Sequence, residues 1–178
     1  MLSLGKRPRP YRHQSGYAVI ALWVVNSILA NISGLRNGGA GVYGNNNGFY
    51  NCPSTVRFGS LQVNGPAPPA LAFQSVDYGA HYLPPGSPFR ASGTTSIPSS
   101  LLADLKTRTT SPPISLPTYM TISREMTFFP QTPRYVSGAP DLGFYYPALN
   151  VSAAVCILDG GSVTVEPGTA VAVRKDTL

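Results

Sequence analysis

Seven carboxylates are the first residues to weigh for chemistry: Asp77, Asp104, Glu125, Asp141, Asp159, Glu166 and Asp176. Acid–base hydrolysis of a glycoside needs two carboxyl groups about 5–10 Å apart. Only Asp159 and Glu166 stand fewer than ten residues apart, across what reads as a corner, so local spacing nominates no pair. A calcium site needs clustered oxygen ligands, and the acids are not clustered. A Ser-His-Asp set would have to recruit His81, whose neighbours Tyr82 and Pro84-Pro85 are the setting of a packed residue. Cys52 and Cys156 lie far apart with no Cys-x-x-Cys spacing, and His13 and His81 are the only histidines. A structural zinc site, which needs four closely spaced ligands, is therefore not supported, and the cysteines read as small buried hydrophobes. Gly38-Gly39-Ala40-Gly41 is followed by neither Gly-Lys-Ser/Thr nor a helix-forming run, so it is no phosphate loop. No catalytic, cofactor-binding or metal-ligating set emerges. An enzymatic role is left undecided, with the residues favouring none. What remains is aromatic: among the tyrosines, Tyr78, Tyr82, Tyr145 and Tyr146 are the candidates for stacking on a sugar.

The charge does not point to nucleic acid. The chain of 178 residues carries 13 Lys and Arg against 7 Asp and Glu, a net +6. Lys6, Arg7, Arg9 and Arg12 sit in the first 13 residues, and the rest of the chain balances at +2. Arg36, Arg57, Arg90, Lys106, Arg108, Arg124 and Arg134 are scattered singly, whereas a nucleic-acid surface clusters bases around stacking aromatics.

The elements that must position the aromatics are short strands. Only 11% of residues are charged, while Gly and Pro number 18 each, which excludes a helical bundle and favours a strand-and-corner chain. Between residues 23 and 57, the apolar pieces Trp23-Val24-Val25, Ile28-Leu29-Ala30, Val42-Tyr43, Phe49-Tyr50 and Val56 alternate with Asn and Gly. Asn tolerates left-handed corners, and its amide can ladder with a neighbouring turn of chain. Residues 17–32 read as a buried strand region. Their basic flank and apolar run also imitate a signal or anchor, the one circumstance in which membrane association is expected. Prolines from Pro84 to Pro117 exclude central strands over most of that span. The exception is a short helix near Leu101, Leu102 and Leu105, capped by Ser99 or Ser100 and lying over a sheet edge or end. Met120, Ile122, Met126 and Phe128 alternate as a strand pair or one bent strand. Asp159-Gly160-Gly161 signals a hairpin or corner, and Glu166-Pro167-Gly168 a turn. An internal echo, Asp-x-Gly-x-[His/Tyr]-Tyr, begins at Asp77 and again at Asp141. Its glycines would supply turns, its Asp would bond the backbone two residues on, and its aromatics would pack across a sheet end.

Val25-Asn-Ser-Ile-Leu-Ala-Asn-Ile32 and Asn46-Asn-Gly-Phe-Tyr-Asn-Cys52 resemble successive turns of bacterial right-handed parallel β-helix repeat proteins, the pectate-lyase-like arrays. His81-Tyr-Leu-Pro-Pro-Gly-Ser-Pro-Phe-Arg-Ala-Ser-Gly93 is similar to the segment that closes such a helix, departing from it at Phe89, Arg90 and Ser92. Pro140-Asp-Leu-Gly-Phe-Tyr-Tyr-Pro147 and Gly161-Ser-Val-Thr-Val-Glu-Pro-Gly-Thr-Ala-Val-Ala-Val173 resemble further phrases of these proteins, the second an opening turn. The resemblance covers about residues 20–178 and implies an all-β fold: incomplete right-handed parallel β-helix rungs, an irregular Pro-rich connector and at most one short helix. It divides the chain into a basic tail (1–16), terminal rungs with their closing segment (17–93), a connector (94–149) and the opening strands of a further β-helix (150–178), as in a fragment of a longer protein. It implies an extracellular or cell-surface, structural or adhesive role without cofactors, the partners being polysaccharide or neighbouring β-helix segments. The alternatives are a remnant of a carbohydrate-active enzyme or a signal-anchored secreted protein.

Overall fold

The computed structural model describes residues 21–35, 41–65, 72–77 and 79–174. The basic tail, and residues 17–20 of the strand-or-signal region, lie outside them. Short strands with one short helix make up the described chain. The first group comprises β1 (Leu22–Val25), β2 (Ile28–Ala30), β3 (Val42–Asn45), β4 (Gly48–Tyr50) and β5 (Val63–Asn64). A hairpin of β6 (Gln74–Val76) and β7 (Gly79–Tyr82) follows, then α1 (Ser99–Leu105) and β8 (Arg108–Thr109). Next come β9 (Ile114–Ser115), β10 (Met120–Ile122), β11 (Glu125–Phe128) and β12 (Tyr146–Pro147). The last four are β13 (Val151–Ala153), β14 (Cys156–Leu158), β15 (Ser162–Val165) and β16 (Val171–Val173).

Pairing is mostly parallel and in small sheets. In the first group β1 pairs with β3 (22 with 42), and β2 with β4 (28 with 48), an offset of 20 residues in both. β4 then pairs with β5 (48 with 63), and Asn45 bridges Ser60, an offset of 15. A second group repeats the pattern. β13 lies between β9 and β16, β10 pairs with β14, and β11 with β15, all parallel. Strands of the 94–149 segment thus pair with strands of 150–178. β10 and β11 are consecutive strands in different sheets, so the alternation over residues 120–128 marks a corner at Ser123-Arg124. Likewise β14 and β15 are in different sheets, which makes Asp159-Gly160-Gly161 a corner, with Gly160 at φ +72°. β6–β7 and β8–β12 are antiparallel.

Asparagine makes the corners of the first group. Asn26, Asn31, Asn46 and Asn51 all have φ between 49° and 58°, and Asn51 Nδ2 donates to Asn31 Oδ1 at 2.9 Å. Asn47 is fully buried; its Nδ2 donates to the Val24 carbonyl at 2.7 Å and its Oδ1 accepts from Ser27 N at 3.1 Å. One side chain therefore satisfies the corner of the preceding turn of chain. The next residue at the Asn26–Asn46 corner, 15 positions on, is Leu61, at φ +53° and exposed. A branched side chain in the left-handed region costs roughly 1–2 kcal/mol. Leu61→Asn should therefore raise stability by about 1 kcal/mol, read as a higher urea midpoint at unchanged slope. A lower midpoint would show that the leucine packs.

β4 anchors the core because it is buried on both faces. Phe49 enters a cluster with Cys52, Val56, Leu29, Ile32 and Phe58, while Tyr50 on the opposite face joins Ala72, Leu83, Phe89 and Leu142. Phe89 is fully buried, a contribution of about 3 kcal/mol.

Several expectations change. Val56 closes a 3-10 turn over Ser54–Val56 and forms no strand, its ring of neighbours being the Phe49 cluster. The helix forms where expected, but Pro98 occupies the N-cap and neither serine caps it. Leu105 is buried and Leu101 exposed, and the helix faces the Val25–Ser27 corner across a small cavity lined by Leu101 and Leu105. β1 is a strand, yet Leu22 and Trp23 are exposed, with Trp23 stacked on Tyr43 at 5.3 Å. Cys52 is buried, Cys156 is half-buried on β14, and both are free thiols.

Candidate functional site

The two copies of the echoed motif meet. Tyr82 and Tyr146, the equivalent sixth residues, pack with ring centroids 4.2 Å apart, and His81 N donates to the Tyr146 hydroxyl at 3.1 Å. Among the described residues neither aspartate side chain bonds its own turn. The first, Asp77, pairs with Arg174 at 3.0 Å. The second, Asp141, pairs with Arg90 at 3.0 Å and accepts from the Ala91 amide at 2.7 Å and from the Thr110 hydroxyl. Each motif thereby ties two distant segments together. Gly143 supplies its turn at φ +92°, whereas Gly79 opens β7 and is excluded from carrying a side chain by Tyr82 and Tyr146.

Around this junction lies an apolar groove of about 510 Å³. β2 provides its aliphatic floor through Ile28, Leu29 and Ala30, and Phe73, His81, Phe144 and Tyr146 provide its walls. Phe144 is 65% exposed and meets Tyr146 edge to face at 4.8 Å, and Phe73 meets His81 in the same way at 5.3 Å. The volume lies in the range of small-ligand sites, and the aromatic walls offer C–H-binding faces with the His81 ring and Tyr146 hydroxyl as the polar groups. Among the described residues no carboxylate lines it.

Of the four candidate tyrosines, Tyr78 lies outside the described residues. Tyr82 and Tyr145 are buried, at 2% and 8% exposure, and present no open ring face. Burial pushes the Tyr82 phenol above its ordinary range, with Tyr146 and Asp77 adding to it. Burial does the same to Tyr145, reinforced by the Asp141 carboxylate, while the Tyr145 hydroxyl donates to the Asp141 carbonyl at 3.2 Å. Only Tyr146 of the described three lines the groove. Nothing in the sequence marks Phe73 or His81 for contact, and the one sign for Phe144 is its place inside the echoed motif, between Gly143 and Tyr145.

A second, polar cavity of about 320 Å³ opens between Arg90, the Thr110-Ser111 pair and the 133–141 loop. Among the described residues no three His, Cys, Asp or Glu side chains gather to hold a metal ion, and no helix is long and apolar enough to cross a membrane. No family model matches the chain, and no curated protein or solved structure matches it either.

Proposed function

We propose that the chain forms passes of a right-handed parallel β-helix in an extracellular or cell-surface protein, with a structural or adhesive role and a glycan-contacting aromatic groove. The observation that carries this reading is the register of the parallel pairs. Leu22 with Val42 and Ile28 with Gly48 share a 20-residue offset, and so do Val151 and Val171. In the second group Ile114 with Val151, Met120 with Cys156 and Glu125 with Ser162 keep offsets of 36 or 37. Constant offsets on different faces are what successive passes of one winding chain produce, and parallel crossovers are overwhelmingly right-handed. The Asn31–Asn51 amide contact supports the same reading, because stacked asparagines are a device of such windings.

The glycan part rests on Phe144 and Tyr146, a paired aromatic wall beside an aliphatic floor. Affinity electrophoresis of the full chain through gels containing neutral polysaccharides tests it. We expect retardation by at least one polysaccharide, weakened roughly fivefold to tenfold in Phe144→Ala. Phe144 is exposed, so this variant keeps the fold. Unchanged mobility of the wild-type chain across the panel would sink the glycan reading.

A further inference from the structure

We propose that the polar cavity beside the 133–141 loop binds a tetrahedral oxyanion, the sulfate or phosphate ester group of a small ligand. This site is separate from the aromatic groove and does not rest on the reading above.

The argument starts with charge. Arg90 and Asp141 both line the cavity and neutralise one another at 3.0 Å. The Arg90 guanidinium is spent on its own fold. Nε donates to the Pro84 carbonyl at 2.9 Å, Nη1 to Thr110 Oγ1 at 3.3 Å and to Asp141, and Nη2 to the Leu83 carbonyl and to Ser111 Oγ at 3.2 Å. Asp141 is covered by Arg90, the Thr110 hydroxyl and the Ala91 amide. What is left over is Arg134, which lines the same cavity and makes no ion pair or hydrogen bond among the described residues. The lining therefore carries one uncompensated positive charge.

Unspent donors accompany that charge. The Ser111 oxygen accepts from Arg90, which leaves its proton free to donate, and the Ser137 hydroxyl also lines the cavity without a partner among the described residues. A guanidinium fork with hydroxyls from two further positions suits an oxyanion. Ser111 follows β8, whereas Arg134 and Ser137 stand exposed on the 133–141 loop, so the donors come from two separate segments of the chain. A carboxylate brings two oxygens to these three side chains, whereas a tetrahedral oxyanion brings three or more and can give each donor its own acceptor.

The loop is also held in place before any ligand arrives. Tyr135 Oη donates to the Gly138 carbonyl at 2.8 Å across a turn at φ +82°, and Thr109 Oγ1 donates to the Pro133 carbonyl. Such preorganisation lowers the ordering cost of binding. At about 320 Å³ the cavity is at the small end of ligand sites, room enough for the oxyanion group itself.

The test is a titration of the full ¹⁵N-labelled chain with sodium sulfate and, separately, inorganic phosphate, ionic strength being held constant with sodium chloride. The result expected is saturable amide shifts confined to residues 110–111 and 134–141. Arg134→Ala should weaken binding at least about tenfold, and Arg134→Lys by less. Ser137→Ala gives a second, independent loss should the Arg134 variant misfold. Shifts that stay linear, that match sodium acetate in affinity, or that survive both Arg134→Ala and Ser137→Ala would overturn the proposal.

Discussion

Gly59→Ala should destabilise the chain by about 4 kcal/mol, a large share of the roughly 5–15 kcal/mol that holds a domain folded. Gly59 has φ +82°, and a Cβ there would stand 2.0 Å from the Gly44 carbonyl oxygen and 2.7 Å from its carbon. Two costs therefore combine. The left-handed backbone penalises any side chain by roughly 1–2 kcal/mol. The steric cost is separate, because the obstacle is backbone of β3 and cannot swing aside. Relief requires lifting residues 59–64 from the strands beneath, which breaks Asn46 N to Ser60 O at 3.2 Å and Val63 N to Asn47 O at 3.0 Å. Gly138 is the control, having the same φ of +82° with nothing within 4 Å of an added Cβ. Gly138→Ala should cost only about 1 kcal/mol. Urea midpoints of the two variants decide the matter. Equal losses would mean that the segment from Gly59 is not seated on β3.

Corners were the most legible part of this fold, and for a local reason. Asn26, Asn31, Asn46 and Asn51 announce left-handed backbone through their own chemistry, which needs no knowledge of what lies above or below. The strands between them were legible too, since Val, Ile, Phe and Tyr runs bounded by such corners have few alternatives. Leu61 was not, because it holds a corner angle without a corner residue and owes that angle to its neighbours in space. Exposure was legible only in part. Tyrosine suits either a core or a surface, so nothing local separated buried Tyr82 and Tyr145 from Tyr146 at the groove. The alternation over 120–128 gave the strands but not their partners, which lie 36 or 37 residues on. Arg90 shows the same limit: it stood out in the sequence only as a departure from the resembled 81–93 phrase, while its role depends on acceptors 6 to 51 residues away.

Removing that arginine carries the second large expected effect. Arg90→Met should cost about 3 kcal/mol and lower the melting temperature by about 10 °C. Its side chain is 25% exposed and that of Asp141 20%, so the pair is only partly desolvated and the value is set below that of a fully buried pair. Most of the loss comes from what the arginine leaves behind. Asp141 would keep the Ala91 amide and the Thr110 hydroxyl but lose its countercharge, and the Leu83 and Pro84 carbonyls would lose their donor. Those carbonyls belong to the same 81–93 segment that places fully buried Phe89 in the core, so their release reaches the Tyr50 cluster directly. Arg90→Lys should recover little, because one ammonium cannot serve acceptors at Leu83, Pro84, Thr110, Ser111 and Asp141 together. Arg90→Met combined with Asp141→Asn should be less destabilised than the sum of the single variants, since the second change removes the stranded charge. Strict additivity in that cycle, measured by thermal and urea unfolding, would mean that the two side chains act independently and that the ion pair is not what binds the 81–93 segment to the 141 turn.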